Sequence, residues 1–172
     1  PASATSTAES VTFGALTGVE RCCTVCAVDV NGDALSGTVL ANLESFLQAQ
    51  REVNFLVSVI SPTFTPISVT ATVAALPTAS INAVQAACVS ALRSYLSPAN
   101  WGGGNLTPPT WVNETTVRYL EVAAILGNVP GVDYVQTLLI GPSGALAASD
   151  YQMPGVVPLP QVGTLSINVV PD

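Results

Sequence analysis

The clearest pattern along the chain is an alternation of residue types from Ile67 to Val73. The odd-numbered positions are apolar and the even-numbered positions carry hydroxyl groups. Since successive side chains of a strand point to opposite faces, this alternation predicts a strand over Ile67–Ala75 that is buried on one face. Clusters of β-branched and other apolar residues predict further strands over 16–30, 53–60, 131–140 and 165–170.

Apolar residues recur three and four positions apart in three other segments, which indicates helices. The residues that precede these segments and can act as N-caps are Ser36, Ser80 and Asn113. The first two helices are predicted over 37–51 and 81–96, and the third ends near Gly127, which suits the C′ position. Each helix is expected to bury one apolar stripe: Val39, Leu40, Leu43, Phe46 and Leu47; Ile81, Val84, Cys88, Leu92 and Tyr95; and Val117, Leu120, Ala124 and Ile125.

A Gly-Val pair occurs twice, 113 residues apart, as Gly18-Val19 and Gly131-Val132. In both copies an apolar, β-rich stretch follows the pair, and a turn that contains glycine comes next. The repeat suggests two related α/β units, and it contains no residues that carry chemistry. We assign a structural role to the residues that lead the chain into these strands: Gly18, Val19, Gly127, Pro130, Gly131 and Val132.

The order of elements predicts an α+β fold made of two small α/β units, each with helices packed on one face of a mixed sheet. Residues 1–10 are rich in Ala, Ser and Thr and are expected to form an extended lead-in. The first unit, residues 11–61, has the order β-α-β. The second unit, residues 62–172, has the order β-α-α-β-β-β.

The composition is unusual in its low charge. Apolar residues make up 49% of the 172 residues and charged residues only 9%, against about 25% in typical domains. So few charges on an apolar chain suggest that partners cover part of its surface. The net charge of −7 argues against binding to nucleic acid or to anionic membranes, which requires clustered cations. No apolar run reaches the ~18 residues of a membrane span, and no signal peptide is visible.

The candidate chemistry is sparse. The chain has no histidine, which excludes Ser-His-Asp and Cys-His sites within it. Cys23 and Cys26 have C-x-x-C spacing, but in a strand they point to opposite faces, so we expect buried free thiols there and at Cys88. Asp29, Asn31 and Asp33 alternate as in a calcium loop, but the glycine and the final acid of that loop are missing, so a hairpin-like turn is predicted.

The remaining pattern is the segment that begins with Trp101, in which three glycines follow the tryptophan. No lysine follows the glycines and no strand precedes them, so a flexible surface loop explains them better than a phosphate loop. We therefore assign no catalytic, cofactor-binding or metal-binding residue and expect a protein that is not an enzyme.

Nine segments, taken in order, carry a resemblance to a known family: 18–19, 24–29, 50–53, 57–62, 67–71, 92–96, 117–120, 130–132 and 159–165. They resemble the C-terminal part of the baseplate J-like proteins of contractile phage tails and related injection systems. Together they cover most of residues 11–170, whereas family members are usually longer and have an additional N-terminal region.

The resemblance implies a baseplate wedge protein of the virion tail or of an injection-system particle, assembled in the bacterial cytoplasm. It implies no enzyme activity and no cofactor. The implied partners are other wedge subunits and tail hub proteins, with self-association in a six-fold ring. Three alternatives stay open: a secreted or virion-surface binding module, for example for carbohydrate; an enzyme that uses carboxylates or a cysteine; and another virion component, such as a connector or capsid protein.

Overall fold

The structure is a computed structural model that describes residues 22–52, 55–101 and 114–172. The fold of these residues is α+β, as the sequence predicts. None of the described helices is long and apolar enough to cross a membrane. The strands are β1 (Cys22–Cys26), β2 (Leu56–Ile60), β3 (Thr63–Ala75), β4 (Thr116–Val117), β5 (Val132–Gly141), β6 (Tyr151–Gln152) and β7 (Pro158–Pro171). The helices are α1 (Gly37–Gln50), α2 (Ile81–Tyr95) and α3 (Tyr119–Gly127).

The described chain divides into two compact units. The first unit runs to Thr63 and also includes Gly155–Val157, a segment that comes much later in the sequence. The second unit comprises the described residues of Phe64–Pro154 together with Pro158–Asp172. Because no local pattern marks Gly155–Val157 as part of the first unit, the chain is less strictly sequential than its order of elements suggests.

The first unit is a β-α-β arrangement. Strands β1 and β2 pair in parallel, with a register that runs from Cys22 opposite Leu56 to Cys26 opposite Ile60. Parallel neighbours need a crossover connection, which α1 supplies by packing against β2. Helix α1 begins after Ser36, whose hydroxyl oxygen accepts a hydrogen bond from the Val39 backbone N–H at 3.4 Å. The N-cap predicted at Ser36 is therefore confirmed.

The buried stripe predicted for α1 is wrong, since no residue of this helix is buried. Leu40, Leu43 and Leu47 are only half-buried, and the Val39 and Phe46 side chains are 46% and 61% exposed. The physical reason is the size of the sheet. Two five-residue strands offer too little surface to cover the full apolar width of a helix with nearly four turns.

The second unit contains a three-stranded sheet with the order β5-β3-β7. Strand β5 is antiparallel to β3. Two register shifts leave Gln136 and Asp133 of β5 without a partner on β3, so the strand has a β-bulge at each of these positions. Strand β7 runs in the same direction as β3, since residue numbers rise together along the two strands. The Thr164 backbone N–H donates to the Ser68 hydroxyl at 3.1 Å, and the Asp172 N–H donates to the Ala75 carbonyl at 3.2 Å. The sheet is therefore mixed.

The core of the second unit lies between this sheet and two helices. Helix α2 packs on β7, helix α3 packs on β5, and the helices contact each other, so both cover the same face of the sheet. The alternating residues of β3 fill this face, and each is at most 1% exposed: Ile67, Val69, Ala71 and Val73. The part of the predicted α2 stripe that is buried consists of Val84, Cys88 and Leu92.

Helix α3 begins later than predicted. Its N-cap is Arg118, whereas the predicted cap, Asn113, lies outside the described residues. Val117, predicted as a helical position, is instead a buried residue of β4, which pairs with β6. The predicted stripe is shifted as well. Leu120 is 75% exposed, and the buried helical positions are Val122 and Leu126.

A side chain distant in sequence explains this start. The Asp150 carboxylate accepts a hydrogen bond from the Tyr119 backbone N–H at 2.8 Å and so caps the helix in place of a local residue. The far end of α3 also differs from the prediction. Gly127 is the last helical residue and Asn128 the C-cap, so Gly127 does not occupy the C′ position.

Strand β7 is longer than predicted, because it begins at Pro158 in a stretch expected to be irregular. Proline cannot donate a hydrogen bond to a neighbouring strand, and it is tolerated here because β7 is an outer strand of the sheet. The proline content of this segment therefore predicted a loop where the structure has an edge strand.

The predicted entry into β5 is a tight turn. The Val132 N–H donates to the Val129 carbonyl at 3.0 Å, with Pro130 and Gly131 in the two central positions. Gly131 has a φ of +93°, which is the conformation that the third residue of a type II turn requires. A Cβ atom at this position would lie 2.9 Å from Val84 Cγ2. Gly18 and Val19 lie outside the described residues, so the relation between the two Gly-Val copies stays a prediction.

We predict that Gly131→Val lowers the free energy of unfolding by about 2–5 kcal/mol. A β-branched residue is strained at positive φ, and its side chain collides with Val84 and Ala79. Gly127→Ala is a matched control, because a Cβ there meets no atom within 4 Å and alanine favours the helix by up to about 1 kcal/mol. Urea denaturation followed by circular dichroism measures both. A Gly131→Val variant as stable as the wild-type protein would contradict the prediction.

Candidate protein-interaction surfaces

In the acidic turn before α1, an aspartate side chain accepts hydrogen bonds from the backbone of the turn itself. One carboxylate oxygen of Asp29 accepts hydrogen bonds from the N–H groups of Asn31 at 2.8 Å and Asp33 at 2.7 Å. Val28 and Ala34 form an antiparallel bridge across the turn, which confirms the predicted hairpin-like geometry. Among the residues that the structure describes, no group of three or more His, Cys, Asp or Glu side chains could hold a metal ion.

Three described cysteines are free thiols in different environments. Cys88 is buried in α2 and Cys26 is half-buried, and burial raises the pKa of both thiols. Cys23 is exposed, so the prediction that it is buried is wrong. Strand β1 is an outer strand of a two-stranded sheet, so β2 covers only one of its edges. A thiol with a raised pKa is a weaker nucleophile at neutral pH, so burial makes Cys26 and Cys88 less reactive.

A polar and aromatic cluster joins the end of α2 to the start of α3. The Tyr95 hydroxyl donates to Glu121 at 2.9 Å, and its ring meets the Trp101 ring edge-on, with centroids 5.4 Å apart. The Trp101 indole N–H donates to the Glu114 carbonyl at 2.8 Å. Arg118 lies 3.8 Å from the carboxylates of both Glu114 and Glu121. These contacts tie four backbone segments together.

Two consequences follow from the cluster. Burial, together with the hydrogen bond to Glu121 and the nearby negative charges, raises the pKa of Tyr95 well above its ordinary value, so the phenol stays neutral. Trp101 is only 4% exposed, which corrects its assignment to a flexible surface loop. Since its ring is covered, it cannot stack on a sugar, and this weighs against a carbohydrate-binding role for Trp101.

Sequence reasoning missed the contact that holds Gly155–Val157 in the first unit. The Thr63 N–H donates to the Val156 carbonyl at 3.1 Å, and the Val156 N–H donates to the Thr63 hydroxyl at 3.2 Å. Val157 is buried with a φ of +44°, an uncommon conformation for a β-branched residue. The Pro154-Gly155 dipeptide is a turn signal, but it does not reveal which residues the turn meets.

Of the six residues given a structural role, the described ones lie close together in the sequence around one turn. Gly127 ends α3, Pro130 and Gly131 form the turn, and Val132 begins β5. The Leu76 N–H donates to the Gly131 carbonyl at 3.0 Å, which fixes the turn to the end of β3. The turn connects the end of α3 to the start of β5, and the structural role assigned to these residues stays a prediction.

The surface of the first unit is its most distinctive feature. Its buried apolar side chains, among the described residues, are Val57, Ile60, Pro62 and Val157. Five large apolar side chains of this unit are exposed, and we call them the first-unit apolar set: Val30, Val39, Phe46, Phe55 and Leu56. Among its described residues, this unit therefore exposes more large apolar side chains than it buries.

The fold is similar to that of a chain in the cryo-EM structure of the anti-feeding prophage (AFP) baseplate, 6-fold symmetrised. The TM-score is 0.60 at 14% sequence identity, over 87% of this chain and 32% of that chain. The protein therefore spans about a third of the length of this neighbour. No protein-family model matches the sequence, and no curated protein matches it. At this identity the similarity shows a shared fold.

We predict that thiol labelling follows exposure. In variants that keep a single cysteine, Cys23 should react with iodoacetamide at least about tenfold faster than Cys88, since Cys88 has both less access and less thiolate. Cys26 should fall between them. In urea the three rates should converge, which serves as the control. Rapid labelling of Cys88 in the folded protein would contradict the burial described here.

We also predict that Tyr95 makes stability depend on alkaline pH. Its pKa is raised in the folded state, so its contribution is complete below about pH 10, where unfolded tyrosine is protonated, and declines as pH rises above that value. Tyr95→Phe should flatten this decline, whereas Tyr134→Phe, at an exposed tyrosine, should not. Thermal melting between pH 8 and pH 11 tests this. Parallel declines in the wild-type protein and Tyr95→Phe would contradict it.

Proposed function

We propose that the protein is a structural component of the baseplate of a contractile phage tail or a related injection system. The observation that carries this proposal is the fold shared with the AFP baseplate chain over 87% of the present chain. The order of sequence segments that resembles the baseplate J-like family gives independent support, because it depends on the sequence alone.

The physical character of the chain supports a role in assembly. Only 9% of its residues are charged, and the first unit exposes two phenylalanines among its large apolar side chains. Such a surface costs free energy in water and gains it when another protein covers it. The polar clusters that the structure describes, at Asp29 and at Tyr95, are occupied by backbone and structural hydrogen bonds.

In its finer form, the proposal is that the chain corresponds to the C-terminal part of a J-like wedge protein. It would join wedges around the tail hub through contacts with other wedge subunits, with hub proteins and with its own copies in a six-fold ring. Each unit acts as a block, and its contacts with other subunits are rearranged when the tail contracts. Contact energy rather than bond chemistry performs the work, and no catalytic step is part of the proposal.

Immunogold electron microscopy of particles purified from the source organism tests the proposal. With an epitope tag on the chain, we expect gold at the baseplate end of the tail, and untagged particles serve as the control. Averaging of the labelled end should place the chain in a multiple of six copies. Label on the capsid, along the sheath or away from any tail-like particle would overturn the proposed function.

A further inference from the structure

We propose that the first unit docks onto a different protein whose surface has an apolar centre and a rim rich in Lys and Arg. The contact is made by the first-unit apolar set. The inference rests on the proposed function in one respect, since it takes the partner to be another baseplate subunit. The apolar centre and the basic rim of the partner are inferred from the exposed apolar residues and the negative charge of the first unit.

The described part of this unit has a small buried core. Its sheet has two parallel strands, and parallel sheets are normally covered on both faces. Helix α1 packs on β2 without burying a single one of its own residues. The described part of the unit buries three large apolar side chains and exposes five. Covering the exposed ones by another protein would provide the apolar burial that the unit lacks.

Two residues of the first-unit apolar set lie on α1, in one stripe along the helix. Val39, Leu43 and Phe46 are four and three residues apart, so they form one stripe along two turns of the helix, about 11 Å. Leu43 is half-buried, and the outer two side chains are exposed. A stripe of this spacing fits the groove of another helix or sheet, and a large aromatic side chain such as Phe46 is a typical anchor of protein contacts.

The described part of the unit carries a net negative charge, which favours a positively charged partner. Its described charged residues are four acids and one base: Asp29, Asp33, Glu44, Glu52 and Arg51. The Arg51 guanidinium donates to the Gln48 side chain and the Phe55 carbonyl and is thereby held within the unit. Asp29 precedes Val30 directly, and Glu52 comes three residues before Phe55. Acids therefore accompany the apolar set along the chain.

This charge distribution disfavours a second copy as the occupant. Two copies facing each other would bring carboxylates towards carboxylates, and opposed like charges cost several kcal/mol at an interface. Nucleic acid and anionic membranes are disfavoured for the same reason. A protein surface with basic residues around an apolar centre satisfies both the apolar and the electrostatic requirement.

Two synthetic helical peptides provide the test. Both carry leucine along one face, and the remaining positions are lysine in one peptide and glutamate in the other. Fluorescence anisotropy at low ionic strength measures their binding to the full chain. We expect the lysine peptide to bind at least about tenfold more tightly than the glutamate peptide, and Phe46→Ser to weaken its binding about tenfold, which corresponds to about 1.4 kcal/mol.

Leu120→Ser is the matched control, since Leu120 is 75% exposed on a helix of the second unit, and it should leave the affinity within about twofold. Circular dichroism checks folding, and Val39→Ser replaces Phe46→Ser if that variant does not fold. Equal binding of the lysine peptide to Phe46→Ser would reveal general attraction to an acidic protein and overturn the proposal. So would failure of both peptides to bind, or a self-association that Phe46→Ser abolishes.

The two proposals fail separately. If the peptides behave as expected but gold label is absent from tails, the docking surface stands and the baseplate role falls. If the label lies at the baseplate and the lysine peptide does not discriminate Phe46→Ser, the baseplate role stands and the basic partner falls.

Discussion

The second unit depends on the burial of one face of β3. This strand has a hydrogen-bonded neighbour on each side, and its inward residues from Ile67 to Val73 are almost completely covered by the two helices. Each buried Val or Ile contributes about 1.5–3 kcal/mol relative to exposure, so the burial of this face is a major source of stability in the second unit. A shift of one residue would turn the hydroxyl groups of Ser68 and Thr70 inward, and the register is therefore strongly fixed.

Hydrogen bonds between residues distant in sequence then set the start of α3 and join the helices and strands of the second unit. Asp150 caps α3 by accepting from the Tyr119 N–H, and the Gln85 side chain donates to the Ile167 carbonyl at 2.7 Å, which links α2 to β7. The Ser68 hydroxyl is nearly buried and accepts from the Thr164 N–H. Such bonds satisfy groups that would otherwise be costly to bury, and they join residues that are far apart in the sequence.

This division between local and distant contacts explains what the sequence could predict. The β3 alternation, the Ser36 cap and the hairpin-like turn of residues 29–33 depend on neighbouring residues, and the structure shows all three. The start of α3 was wrong because its cap lies 31 residues away, and α1 was expected to be buried because periodicity shows which face is apolar but not how much surface is available to cover it. The apolar side chains of α1 are exposed because the small sheet of the first unit does not cover them.

The two units thus differ in how far their own residues cover their apolar side chains. The second unit encloses its apolar face with its own helices, and its cationic Arg118 lies between two carboxylates of the same unit. The first unit exposes Phe46 on a helix that carries one charge, Glu44. Under the proposed docking, the first unit gains stability when another protein covers its exposed apolar side chains, because binding stabilises the folded state by mass action. In a particle built from many subunits, folding of the first unit and incorporation into the particle would then be coupled steps.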